Sequence, residues 1–276
     1  MAKKIEDVNI SDILLVTDVD GTLLNDEHEI SNLNYTAIKT FMDAGGMFTI
    51  ATGRGISMSE PIARALKLNC PAIIFNGAAV HDFESNKQIW HCSLKSETGR
   101  YLELIAKKFP GCAIEILRND NVYVVKTNEL EEYHLEFGNV TPVRTDLYSV
   151  PEKGRLKALI IDEREMIDRI MDYCLNNCPD DVHWVRSAPI YYEMLPKNVD
   201  KGKGMQKLLE VIGDKFTVAV GDFMNDIELL KYADIGIAVG NAEESVKDAA
   251  DMTVADNNNN AIFDIIEYIM ANCRKK

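Results

Sequence analysis

Residues 14–24 read LLVTDVDGTLL. The stretch opens on a continuous apolar run, as a parallel strand covered on both faces requires. It closes apolar as well, and between the two runs stand Asp18 and Asp20, then Gly21 and Thr22. Residues two apart in extended backbone point to the same side, so both carboxylates can enter one site where the strand runs out. Gly21 lets the chain turn sharply there. Alone, Asp-x-Asp most often marks a solvated acidic turn. With the Gly and Thr added, the four fixed positions would coincide by chance in about one chain in several hundred of this length.

Outward from this stretch the chain alternates strand and helix. Ser31 reads as a helix N-cap, Leu33, Ile38, Phe41 and Met42 recur at helical spacing, and Gly45-Gly46 ends that helix. MFTIAT (47–52) reads as a strand, SMSEPIARALKL (57–68) as a helix and PAIIF (71–75) as a strand. The last third resumes the pattern. There KGKGMQKLLEVIG (201–213), MNDIELLKYA (224–233) and AIFDIIEYIMANC (261–273) are helical, while FTVAVGD (216–222) and IGIAV (235–239) are strands. NNNN (257–260) reads as a turn plus an N-cap. Short links between strands and helices imply right-handed βαβ units, hence an α/β class with a doubly wound, mostly parallel sheet.

The middle has a different pattern. AVHDFESNKQIWHC (79–92) reads as a hairpin, and CAIEIL (112–117) and VYVVKT (122–127) as strands around a turn at RNDN (118–121). KALII (157–161) and DVHWVRS (181–187) are further strands, with helices near 96–109 and 163–177. Frequent hairpins among helices predict an α+β insert with an antiparallel sheet. The expected division is a core of residues 1–82 and 190–276, interrupted by an insert over 83–189.

The net charge of −14 argues against the phosphate backbone of a nucleic acid as partner. The cysteines, at 70, 92, 112, 174, 178 and 273, form no C-x-x-C pair, and the histidines show no metal spacing. Reduced thiols in a cytoplasmic protein are expected. The first residues show no signal-type apolar region, and no apolar run reaches the length of a membrane span. Oligomeric state is left open.

Polar residues recur wherever a core strand ends. The second strand runs into Thr52, Gly53 and Arg54, a hydroxyl and backbone N–H groups beside a helix start, where an anion could be cradled. The third ends in Asn76-Gly77, which reads as an ordinary turn. The next ends in Asp222, with Asn225 and Asp226 beyond it, and Lys201 precedes it on a helix. In a doubly wound sheet these ends converge on one crevice. Carboxylates packed so closely raise one another's pKa values, and a hard cation relieves this. Oxygen-only ligands with few protein contributors suit Mg²⁺.

The ordered set DVDGTLL (18–24), TGR (52–54), the lysine of VDKGKG (199–204) and GDFMND (221–226) resembles the four motifs of the haloacid dehalogenase superfamily. FNGA (75–78) and the position of the insert resemble its Cof-type branch, with a large C2-type α/β cap. The resemblance implies a Mg²⁺-dependent phosphomonoester hydrolase acting on a small phosphorylated metabolite, with sugar phosphates foremost, and a cap that sets specificity. It also implies roles. Asp18 would be the nucleophile that forms an aspartyl-phosphate, and Asp20 the general acid and base, with its backbone carbonyl on the metal. Asp222 would complete the metal's protein ligands, with Asp226 beside them. Thr52, Gly53, Lys201 and Asn225 would hold the phosphoryl group. Arg54 would support the loop or contact substrate. Two alternatives stand: a phosphomutase using the same intermediate, and a non-catalytic module that binds a phosphometabolite. One departure is that DNNNN (256–260) lacks the glycine that often follows the asparagines in related sequences.

Overall fold

The structure is a computed structural model describing residues 4–119, 121–178 and 181–274. The expected turn at 118–121 takes in Asp120, which lies outside the described residues. The chain begins with β1 (Ile13–Thr17), α1 (Asn32–Asp43), β2 (Met47–Ile50), α2 (Ile56–Leu66), β3 (Ala72–Ile74), β4 (Ala79–Asp82) and β5 (Lys87–His91). Next come α3 (Gly99–Lys108), β6 (Ala113–Arg118), β7 (Val122–Lys126), α4 (Glu129–Phe137) and β8 (Val143–Arg144). They are followed by β9 (Arg155–Ile161), α5 (Arg164–Asn177), β10 (Val182–Ala188) and β11 (Tyr191–Pro196). The remainder is α6 (Lys201–Ile212), β12 (Phe216–Gly221), α7 (Ile227–Tyr232), β13 (Ile235–Ala238), α8 (Glu244–Lys247), β14 (Met252–Thr253) and α9 (Ala261–Asn272). No described helix is long and apolar enough to cross a membrane.

The chain forms two compact units. The first comprises the residues up to Gly53, Ser59–Trp90, and those from Asp200 onward. Its main sheet has the order β14-β13-β12-β1-β2, with every pair parallel. Ile13 lies opposite Phe216, and Leu14 opposite both Thr217 and Met47. All five residues of β1 and all six of β12 are buried, so both faces of these strands are covered and the expected continuous apolar runs follow. β3 joins the edge through a parallel bridge, Ala51 to Ile73, and opens a smaller sheet, β3-β4-β5. The chain moves one way from β1 to β2 and the other way from β12 to β13. The join of β1 and β12 is therefore a topological switch point, where a crevice opens at the carboxyl ends.

Two helix starts in this unit, those of α1 and α9, contrast. The Ser31 hydroxyl accepts from Asn34 N–H at 3.1 Å, as an N-cap should. Asn260 occupies the corresponding place before α9 but adopts a left-handed backbone, φ 61°, and makes no side-chain cap bond. Its side-chain Oδ1 accepts instead from the Ser31 hydroxyl, 2.7 Å away. Asp256 caps the preceding turn through Asn258 N–H at 3.0 Å.

The second unit comprises Arg54–Met58 and His91–Val199. Its sheet has the order β10-β11-β9-β6-β7-β8, antiparallel except for β7 with β8. Tyr101, Leu102 and Ile105 of α3 and Ile167, Ile170 and Cys174 of α5 form its apolar core with Ile114, Ile116, Ala158, Ile160 and Met194. The sequence places this insert at 83–189. In the structure β4 and β5 pair within the first unit, and β11 pairs with β9 and β10 in the second. Helix α4 and the short β8 stand where no element is expected.

Candidate active site

β1 ends at Thr17, and Asp18 N–H still donates to Val220 O of β12 at 2.9 Å. The strand pairing therefore carries Asp18 to the switch point. Beyond it the chain turns through Gly21, φ +76°, a left-handed conformation that costs glycine little. A Cβ there would lie 2.5 Å from Asp222 Oδ2, so the absence of a side chain also makes room for that carboxylate. Thr22 donates its hydroxyl to Asp222 Oδ1 at 2.7 Å, joining the first motif to the end of β12.

Lys201 is the first residue of α6, and Asp200 caps that helix by accepting from Lys203 N–H at 2.7 Å. Its ammonium is wholly buried. It donates to Asp18 Oδ1 at 2.5 Å and to Asp226 Oδ1 at 2.6 Å. Asp226 is also fully buried, and its Oδ2 accepts from the backbone N–H groups of Asp222 and Phe223 at 3.0 and 3.2 Å. Both Asp226 oxygens are thus engaged. Asp18 and Asp222 each use Oδ1 for a partner and keep Oδ2.

One ammonium faces an excess of carboxylate. Burial pushes Asp18 well above the usual carboxylate range; Lys201 opposes this, while Asp226, Asp222 and Asp20 add to the rise. Burial likewise lifts Asp222 to about 7, with Asp226 adding and the Thr22 hydrogen bond opposing. Burial works against the charge of Lys201, but Asp18 and Asp226 outweigh it and hold the ammonium protonated above its ordinary range. Asp18, Asp222 and Asp226 each offer an oxygen within 4.8 Å of the others. An oxygen-only donor set with surplus negative charge fits a hard divalent cation such as Mg²⁺.

Asp20 lies exposed on the turn, where it meets solvent. Thr52 is buried at the end of β2, its N–H bonded to Ile73 O at 2.9 Å, and Gly53 follows it. Asn225 reaches Asn76, donating from Nδ2 to Oδ1 at 2.9 Å. The structure therefore brings Asp18, Lys201, Asp222 and Asp226 into contact and sets Thr52, Gly53 and Asn225 at neighbouring strand ends. Arg54 groups with the second unit, and its guanidinium donates to Met58 O at 3.4 Å.

Sequence reasoning missed several supports. Asn241 donates to Gly21 O at 2.8 Å, and Asn257 donates to Leu24 O at 3.1 Å while its own N–H reaches Asn241 Oδ1. The asparagine run thus ties the C-terminal loop to the first motif without the missing glycine. Its only sequence signal is the run itself. Thr22 and Asn76, also missed as site residues, lie within quoted motifs.

A family model described as haloacid dehalogenase-like hydrolase matches residues 15–266. The chain is 28% identical to a 5-amino-6-(5-phospho-D-ribitylamino)uracil phosphatase, YitU, of Bacillus subtilis, covering 90% of this chain and 94% of that one. The solved structure of TM0651 from Thermotoga maritima is 30% identical with TM-score 0.76, covering 92% and 96% of the two chains. A subclass IIB sugar phosphatase, BT4131, shares the fold at TM-score 0.81 and 24% identity, over 93% and 98%.

Proposed function

This chain belongs to the haloacid dehalogenase-like hydrolases as a Cof-type phosphatase, and from that premise we propose a Mg²⁺-dependent phosphomonoesterase that works through an aspartyl-phosphate. The observation that carries the reading is the buried Lys201 ammonium, shared by Asp18 and Asp226 beside Asp222. Here carboxylates in excess of their counter-charge gather where strands end at the switch point, which suits a cation and a charged ligand.

Asp18 and Asp222, with the Asp20 backbone carbonyl, would hold the metal, and Asp226 would support them through the bonds it already makes. Bound there, Mg²⁺ supplies positive charge that keeps the carboxylates ionised and polarises a phosphoryl oxygen. The Asp18 carboxylate attacks phosphorus, and the bond from phosphorus to the leaving oxygen breaks. Asp20 gives that oxygen a proton. It then takes one from the water that attacks the aspartyl-phosphate, releasing phosphate and restoring Asp18. Exposure suits Asp20 to this exchange. Lys201, Thr52, Gly53 N–H and Asn225 hold the phosphoryl oxygens as charge shifts among them.

The substrate class is a small phosphorylated metabolite, with sugar phosphates first; the phosphatases among the relatives support this. The insert would set which leaving group is accepted. The acidic chain, with its scattered thiols, suits a cytoplasmic metabolite enzyme. A phosphate-release screen over phosphorylated metabolites, supplemented with Mg²⁺, tests the proposal. Turnover that stops with EDTA and returns with Mg²⁺ supports it. Turnover indifferent to chelation contradicts the metal, and isomerised product without free phosphate indicates a mutase.

A further inference from the structure

Asn76 lies in the turn that follows β3, in a conformation that needs explaining. Phe75 and Asn76 are consecutive residues with positive φ, 53° and 51°. Asparagine tolerates the left-handed region better than most residues, but for phenylalanine it is a true outlier, and such strain persists only where surrounding structure imposes it. Gly77 follows at φ +90°, and a Cβ on it would fall 1.9 Å from Asp200 O. The turn is therefore pressed against the start of α6, the helix that begins with Lys201. Asn76 N–H donates to Thr52 O at 2.9 Å, which fixes the turn to the end of β2.

These constraints bury the Asn76 side chain, 1% exposed, against Gly53 and Asn225. Its Nδ2 lies 3.0 Å from where a Cβ on Gly53 would stand. Its Oδ1 accepts from Asn225 Nδ2. Asn76 Nδ2 and Asn225 Oδ1 are both buried without a hydrogen-bond partner. An unmatched buried amide costs stability, so its persistence here points to a ligand atom. The unmatched donor stands beside the Thr52-Gly53 loop. An acceptor reaching it there would be an anion oxygen.

We propose that Asn76 is a further phosphoryl-binding residue, donating from Nδ2 to an oxygen of the bound phosphate while its Oδ1 orients Asn225. The inference rests on the phosphatase reading. It assigns a binding role to a residue that the sequence presents as a plain turn. The strained backbone then serves to aim the amide.

The test is calorimetric titration of the full-length protein with inorganic phosphate in the presence of Mg²⁺. Asn76→Gly removes the amide but keeps the left-handed backbone accessible. Asn76→Asp keeps the acceptor toward Asn225 and loses the donor. Each is expected to weaken phosphate binding about ten- to hundredfold, the scale of a hydrogen bond to a charged group. A role limited to holding Asn225 is separated by a double-mutant cycle. In an Asn225→Ala background Asn76→Gly must still weaken binding, by about fivefold or more. Wild-type affinity in either single variant, or no further loss in the Asn225→Ala background, overturns the proposal and leaves the phosphatase reading standing. A wild-type protein that neither binds phosphate nor releases it from any ester overturns both.

Discussion

Each unit of the molecule buries a lysine among carboxylates, and the two clusters are built differently. In the first, Lys201 donates to Asp18 and Asp226, and the remaining Asp226 oxygen takes two backbone N–H groups. In the second, Lys157 of β9 donates to Glu193 Oε2 of β11 at 2.6 Å, and Ser187 donates to the other Glu193 oxygen. Glu115 of β6 lies on the same sheet face, fully buried, with both carboxylate oxygens lacking a hydrogen bond. His134 Nε2 stands 3.9 Å from it, and Glu131, a further acid nearby, accepts from the Thr127 hydroxyl and lies 3.7 Å from Arg144. Burial pushes Glu115 up to about 8, with Glu131 and Glu193 adding and Lys157 and Arg144 opposing. At neutral pH Glu115 therefore holds its proton. The first cluster gathers charge at strand ends facing a crevice. The second settles its surplus charge with a proton in mid-sheet. Buried charge alone does not mark a reacting centre; its place in the topology does.

Substitutions in the two clusters should therefore differ in kind. Asp18→Asn removes the nucleophile proposed above and is expected to lower phosphate release about a thousandfold or more, with the cooperative unfolding transition retained. Near-wild-type turnover would place the chemistry elsewhere. Lys201→Met leaves Asp18 and Asp226 buried without a counter-charge. It should cost about 3–5 kcal/mol in denaturant unfolding, besides activity. An unfolding midpoint equal to wild type would show that the ion pairs contribute nothing.

Glu115→Gln should act through pH instead. Between the ordinary carboxyl pKa, near 4.5, and about 8, the folded state holds a proton on Glu115 that the unfolded state has released. Wild-type stability therefore falls as pH rises through that window. Glutamine has no proton to lose. The stability of the variant relative to wild type should thus increase across the window, by up to about 5 kcal/mol, and level off beyond it. Parallel curves for the two proteins would mean that Glu115 ionises normally. Gly21→Ala is the mildest change. Its left-handed backbone should cost about 1–2 kcal/mol, and the new methyl group, crowding Asp222 Oδ2, should lower turnover more than stability alone explains.

The same contrast decides what the sequence could reveal. Asp18 and Asp222 were legible because each stands where an apolar run stops, and the order of those stops fixed the sheet; Lys201, at the start of α6, was legible only through the motif it shares with the family. Glu115 sits inside CAIEIL, where a lone acid reads as a solvent-facing position; in the structure both faces of β6 are covered. Helix α4 was invisible because its buried residues are Glu131 and Leu135, too few apolar groups to form a stripe. Asn76 was hidden by an Asn-Gly pair that looks like any turn. The expected limits of the insert, 83 and 189, differ from those of the compact unit, His91 and Val199, because β5 and β11 carry no mark of the sheet each one joins.

All of this depends on Asp18 forming a bond to phosphorus. Enzyme quenched in acid during turnover, reduced with borohydride and digested, can be read by mass spectrometry at residue 18. An aspartyl-phosphate is reduced to homoserine, so homoserine at position 18 in the wild-type protein, absent without substrate, is the expected result. Sustained phosphate release with residue 18 recovered only as aspartate would contradict it.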